Sequence, residues 1–126
     1  MDTIKVRLST LWIFVLFNMV FADIVGFMNP GALNAIMEGE VGIEITQKLL
    51  LLFSIMLEIP IAMIFLSRIL KYQVNRWANI MAATFTILFV IGGGDVYLSY
   101  IFFASIEVIT MLFIIWLAWN WREESA

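Results

Sequence analysis

Long apolar runs alternate with short polar segments along the whole chain. Four of these runs are close to the length of about 20 residues that an α-helix needs to cross a hydrocarbon core of roughly 30 Å. Their predicted bounds are about 8–27, 46–70, 76–91 and 96–121. The pattern therefore predicts an all-α membrane protein, with residues 1–126 forming a single four-transmembrane-helix domain folded as an antiparallel bundle.

Proline and glycine mark the predicted helix ends. Pro30 ends the first helix because proline cannot continue the backbone ladder, and Asn29 is predicted to cap a short interfacial helix that follows. Gly92–Gly94 ends the third helix. Pro60 lies inside the second helix, where it should produce a kink.

Three carboxylates interrupt the apolar runs, namely Asp23, Glu58 and Glu107. A charged residue at the centre of a spanning helix costs about 2.5–3.5 kcal/mol, so it usually faces the protein interior. Glu58 and Glu107 have similar predicted depths, about 18 Å and 15 Å from one surface. We therefore expect them to share one interior site. The predicted ligand-binding residues are Glu58, Glu107, Asn18, Asp23, Thr86 and Tyr100.

Composition narrows the chemistry that such a site could perform. The chain is 63% hydrophobic with a mean hydropathy of +1.02, against about 45–50% apolar residues in a soluble domain. It contains no cysteine and no histidine, so thiolate chemistry and the usual nitrogen ligands of haem, copper and zinc are missing. We expect no cofactor and no metal, and we assign no catalytic residue. The net charge of −3 and the lack of a basic stripe argue against nucleic acid as a partner.

The basic residues predict how the chain is oriented. Six of the seven lie before the first helix, around the second connection or after the fourth helix, and Lys48 lies at the other side. Short cytoplasmic segments of membrane proteins carry an excess of lysine and arginine. Both termini are therefore predicted to be cytoplasmic. The six residues are Lys5, Arg7, Arg68, Lys71, Arg76 and Arg122.

Several sequence segments are familiar in combination: STLWIF (9–14), LEIPIAMIFLSRIL (57–70), RWANI (76–80) and IEVITMLFIIWLAW (106–119). Together they resemble a family of small, uncharacterised bacterial four-helix integral membrane proteins, broadly DoxX-like in size and layout. The resemblance implies a multi-pass protein of the bacterial inner (plasma) membrane. It implies no activity, so no functional residue is carried over from it.

Three functions fit these observations. The favoured hypothesis is that a small amphipathic or lipid-like molecule binds at a central acidic site within the membrane, since buried acids pair well with an amine or a hydroxyl. The first alternative is a proton-coupled small-molecule transporter, in which the carboxylates exchange a proton for a cationic substrate. The second alternative is a non-catalytic accessory subunit. Enzymatic activity stays open, the lipid bilayer is the expected surrounding, and the pattern leaves room for a homo-oligomer.

Overall fold

The computed structural model describes residues 3–38, 47–92 and 98–122. These ranges form five helices and no β-strand. Four of the five helices are long and apolar enough to cross a membrane, which confirms the predicted all-α, four-helix membrane fold. The spanning helices are α1 (Thr3–Phe27), α3 (Gln47–Ile69), α4 (Tyr72–Gly92) and α5 (Leu98–Trp119), and the short helix is α2 (Ala32–Met37).

The spanning helices differ from the predicted ones mainly at their ends. α1 begins at Thr3 rather than near residue 8, and α4 begins at Tyr72 rather than near residue 76. Both extensions consist largely of polar and basic residues, which an apolar pattern does not count although they continue the helix into the headgroup region. The predicted starts near residues 46 and 96 lie outside the described residues.

The connection after α1 corrects one prediction. The Asn29 side-chain amide donates to the Gly26 carbonyl at 3.1 Å, so Asn29 closes the end of α1 instead of capping α2. Gly31 has a φ of 79°, a left-handed conformation that glycine adopts without steric cost. Its carbonyl accepts the first bond of α2, from the Ala35 amide at 2.9 Å. The short helix, whose presence the sequence predicted, then ends at Met37.

The four spanning helices form a closed ring. α1 packs against α3 and α5, and α4 packs against α5 and α3, so α1 and α4 lie diagonally across the bundle. We call the end that carries Arg68, Lys71 and Arg76 the basic end. The half of the bundle near this end is tightly packed around side chains that are completely buried, namely Leu8, Trp12, Val15, Met111 and Ile114.

Large apolar side chains cover the outer surface of the ring. Phe65 and Leu88 are each 62% exposed, and Ile109 is 67% exposed. Soluble monomers rarely show contiguous apolar surface of more than a few hundred Å². The outer surface therefore contacts lipid, and the ring is an integral membrane bundle.

Candidate intramembrane acidic site

A cavity of about 190 Å³ lies inside the bundle, in the half away from the basic end. All four spanning helices contribute to its wall. A cavity of this size has the volume of about six water molecules in the liquid, at roughly 30 Å³ each. Its lining residues are Met19, Ala22, Asp23, Phe53, Leu57, Phe89, Val90, Tyr100 and Glu107.

Glu107 forms the inner end of this cavity. It lies nine residues into α5, so it is about 13 Å from the start of that helix, and only 3% of its surface is exposed. The residues that follow it on the same face are Met111 and Ile114, and both are completely buried. The wall below Glu107 is therefore closed toward the basic end.

Asp23 is the second acid of the cavity, and it lies nearer the opposite end of the bundle. It precedes the last residue of α1 by four positions, which is about 6 Å along the helix, and its side chain is exposed. Asp23 and Glu107 line the same cavity. Among the described residues, neither carboxylate has a hydrogen bond or an ion pair. Two such groups repel each other when both are ionised, and a proton or a cation between them would relieve this repulsion.

Aromatic side chains form much of the remaining wall. Phe53 and Phe89 meet edge to face with ring centroids 6.0 Å apart. The Tyr100 hydroxyl donates to the Val90 carbonyl at 2.8 Å. Tyr100 and Val90 also line an apolar groove of about 460 Å³ on the outer surface between α4 and α5. These two residues therefore separate the acidic cavity from the lipid-facing groove.

A buried hydroxyl without a partner lies close to this cavity. Thr86 is 1% exposed, and within the described part of the chain its Oγ1 atom has no hydrogen-bond partner. It precedes the cavity residue Val90 by one helical turn on the same face of α4. An unsatisfied buried hydroxyl costs free energy that a water molecule or a polar ligand atom can recover.

The structure brings together some of the predicted site residues and not others. Glu107, Asp23 and Tyr100 line the same cavity. Thr86 is buried but does not line it. The Asn18 amide donates to the Phe14 carbonyl of its own helix at 2.8 Å and so does not point into the cavity. A ligand-binding role for any of these residues stays a prediction.

Glu58 lies on the outer surface of α3, so it does not share an interior site with Glu107. The buried residues of α3 are Pro60, Met63 and Ser67. Glu58 precedes Pro60 by two positions, which places it about 200° around the helix from the packed face. The acid that lines the cavity together with Glu107 is Asp23. Glu58 was expected to face the interior because of the cost of a charge in a spanning helix, although α3 packs through a different face.

Comparison with known proteins identifies the family of the chain. A family model matches residues 2–126, which is nearly the whole chain. The chain belongs to DUF6326, a family of unknown function. Searches of curated proteins and of solved structures found no match. The chemistry of this DUF6326 chain therefore has to be inferred from its own residues.

The DUF6326 chain also has a buried polar cluster at the basic end that sequence reasoning missed. Trp12 Nε1 donates to Asn79 Oδ1 at 2.8 Å, and Ser67 Oγ donates to the same oxygen at 3.2 Å. Asn79 Nδ2 donates to the Asn75 carbonyl at 2.9 Å. Asn75 in turn donates to the Ser67 carbonyl at 2.8 Å. The spacing of Asn75 and Asn79, four residues apart on one helix face, was the available signal. Since these polar groups are already paired, the cluster has a structural role.

Proposed function

We propose that the protein binds a small organic cation with an apolar body in the cavity between Asp23 and Glu107. The observation that carries this proposal is the pair of carboxylates in one apolar cavity, without a cationic side chain bound to either of them among the described residues. An ammonium group placed between them would form charge-assisted hydrogen bonds, which are about twice as strong as neutral ones.

The aromatic wall supports the same ligand chemistry. Phe53, Phe89 and Tyr100 surround the space next to the acids. Aromatic faces attract cations, and a desolvated pair contributes about 2 kcal/mol. The volume of about 190 Å³ is smaller than the roughly 300–1,000 Å³ of drug-sized pockets. The cavity therefore suits a compact amine or the head group of an amphipathic molecule whose tail extends beyond it.

The site is proposed to lie in the periplasmic half of the bacterial inner membrane. The basic residues support this placement because they concentrate at the end of the bundle opposite the cavity. In this orientation both termini are cytoplasmic, and Glu107 is the group of the cavity that lies deepest from the periplasmic side.

Proton-coupled transport of the cation is the second candidate. It is favoured by the complete burial of Met111 and Ile114, which closes the path from Glu107 to the basic end. Alternating-access carriers expose a central site to one side at a time. The described structure would then be one of two access states, and a carboxylate would take up a proton as the cation leaves.

A binding experiment in detergent tests the first candidate. Benzylamine is titrated against the protein, with benzyl alcohol as an uncharged ligand of similar shape. We expect saturable binding of the amine only. Glu107→Gln should weaken it by at least about tenfold, since a lost hydrogen bond to a charged group costs about 1.5–3 kcal/mol. Glu58→Gln is the matched control because it changes an acid outside the cavity and should leave the affinity unchanged.

Equal affinity for the amine and the alcohol would contradict the proposal, and so would an equal loss of amine affinity in Glu107→Gln and Glu58→Gln.

Transport is tested separately in proteoliposomes. Benzyltrimethylammonium is added outside, and a pH-sensitive dye inside reports proton movement. A change in the dye signal that is absent with Glu107→Gln supports exchange of the cation for a proton. Saturable amine binding without a change in the dye signal would exclude proton-coupled transport and support binding alone.

A further inference from the structure

Glu58 lies at the midpoint of its spanning helix. Gln47 begins α3 eleven residues before it, and Ile69 ends α3 eleven residues after it. Each end is therefore about 16 Å away, which puts Glu58 near the centre of a hydrocarbon core of roughly 30 Å. The side chain is exposed on the outside of the bundle. In an isolated protomer it would point into lipid at the depth where an acid is least favourable.

The exposed hydroxyl groups of Thr10, Ser54, Thr84 and Ser105 are satisfied within their own helices. Each of the four donates to the carbonyl four residues earlier. Glu58 has no hydrogen bond or ion pair among the described residues. A lipid-facing carboxyl needs a partner from elsewhere because the bilayer core offers none.

Glu58 is the centre of a continuous exposed stripe along α3. Leu51 and Phe65 lie seven residues before and after it, and Ser54 and Ile61 lie between them. All five side chains are exposed. This spacing of three and four residues is the seam of a left-handed helix pair, the commonest packing of membrane helices. We call this set the Glu58 face.

We propose that the Glu58 face is the contact between two copies of this chain, related by a twofold axis along the membrane normal. Such an axis brings each residue of the face to its own copy at the same depth. The apolar residues then meet apolar residues, and Glu58 meets Glu58.

The chemistry of the face matches itself. A carboxyl group that carries its proton both donates and accepts, so one proton is enough for two Glu58 side chains to form a hydrogen bond. The Ser54 hydroxyl, one turn away, retains a lone pair that can accept a further bond. A polar residue in an otherwise apolar seam also fixes the register of the two helices. The acid at the bilayer centre is thereby removed from lipid.

Disulfide cross-linking in native membranes tests this interface, because the chain has no cysteine of its own. Leu51→Cys and Leu52→Cys form a matched pair. Both leucines are exposed, at 61% and 52%, but Leu52 lies about 120° around the helix from Glu58 while Leu51 lies about 20° away. Under mild oxidation we expect a dimer of this chain from Leu51→Cys and little or none from Leu52→Cys.

The second arm changes the acid in the Leu51→Cys background. Glu58→Leu should weaken dimerisation by about fivefold to thirtyfold, while Glu58→Gln should keep most of it because the amide also donates and accepts. Ser105→Leu, on the outer face of α5, should have no effect. Thermal stability in detergent checks that each variant folds. If Glu58→Leu does not fold, the comparison of cross-linking at positions 51 and 52 still tests whether the Glu58 face is the dimer contact.

Three results would overturn the proposal. The first is equal cross-linking at positions 51 and 52, which indicates random collision. The second is a Leu51→Cys dimer that Glu58→Leu leaves unchanged in a folded protein. The third is a cross-linked product that mass spectrometry assigns to a different protein, which would make the face a hetero-oligomeric contact. The amine-binding proposal is unaffected by all three, since Glu58 lies outside the cavity.

Discussion

Trp12 donates its indole N–H to the side-chain oxygen of Asn79 at 2.8 Å, which links two helices that lie diagonally across the bundle. Both side chains are completely buried. In a membrane interior the hydrophobic effect does not hold helices together, so packing and such bonds do. The Trp12–Asn79 pair therefore fixes α1 against α4 at the basic end, while the acidic cavity occupies the other half.

Replacing Asn79 should destabilise the fold. Asn79→Leu removes the acceptor of the Trp12 indole N–H and of the Ser67 hydroxyl and the donor to Asn75 Oδ1, at a cost of about 2–4 kcal/mol in the free energy of unfolding. Asn18→Leu is the control because its amide bonds only to its own helix, and it should stay within about 0.5 kcal/mol. Unfolding in mixed micelles measures both. A similar decrease in the free energy of unfolding in Asn79→Leu and Asn18→Leu would show that the polar cluster around Asn79 does not stabilise the bundle.

Arg76 should resist replacement by lysine. Its Nε donates to the Ala118 carbonyl at 2.9 Å and its Nη2 to the Trp119 carbonyl at 3.0 Å, and its guanidinium lies 5.4 Å from the Trp119 ring centroid. Lysine cannot reproduce this forked donor geometry. We expect Arg76→Lys to lower the free energy of unfolding by about 1–2 kcal/mol. Lys71→Gln, at an exposed position of the same end, should change it by less than about 0.5 kcal/mol.

The sequence was sufficient for the helices and for part of the site. Apolar runs of this length have few solutions in lipid, because every backbone polar group must be paired internally. Glu107 was expected to face inward because of the cost of a charge in a spanning helix, and it is buried. Thr86 was likewise predicted as a residue of the interior site, and it is buried.

The orientation of α3 could not be obtained in the same way. Its high average hydropathy means that most of its faces carry similar apolar side chains, so the acid Glu58 was the main directional signal. Glu58 points outward, and the packed face is instead set by how Pro60 and Met63 fit the neighbouring helices. The approach of Asp23 to Glu107 also depends on the pairing of α1 with α5. That pairing joins the first and last helices of the chain, which local periodicity does not encode.

Tyr100 should control exchange between the cavity and the lipid-facing groove. Tyr100→Phe removes the hydroxyl that bonds to the Val90 carbonyl, so we expect dissociation of bound benzylamine to become about fivefold faster, for a loss of about 1 kcal/mol. Tyr72→Phe is the matched control. It removes a similar bond, to the Trp121 carbonyl at 2.7 Å, at the basic end. Stopped-flow displacement measures the dissociation rate of benzylamine in both variants. Equal rates would show that Tyr100 does not separate the cavity from the lipid-facing groove.

The proposed topology can be tested with the cysteine-free chain. Glu38→Cys lies after α2, and Ser125→Cys lies near the C-terminus. A membrane-impermeant maleimide added to spheroplasts should label the cysteine at position 38 only. The cysteine at position 125 should react after the membrane is permeabilised. Labelling of position 125 from outside would reverse the orientation and would place the acidic cavity in the cytoplasmic half.

The two acids of the cavity should show a measurable repulsion. At about pH 9, where the bulk solution favours both anions, Asp23→Asn and Glu107→Gln should each raise the free energy of unfolding of the ligand-free protein by about 1 kcal/mol. Each substitution removes the same repulsive pair, so their effects should not add. We expect the double variant to gain at least about 0.5 kcal/mol less than the sum of the single variants.

The pH dependence of the coupling between Asp23 and Glu107 tests independently whether their interaction is repulsive. Repulsion between two carboxylates requires both to be ionised, so the coupling should be smaller at a lower pH, once one of the two groups is protonated. Asp23→Asn combined with Glu58→Gln is the control cycle, and it should be additive at both pH values because Glu58 lies outside the cavity. Additivity of Asp23→Asn and Glu107→Gln at pH 9 would mean that the two acids do not form one site. In that case, the proposed cation would have only a single carboxylate to bind.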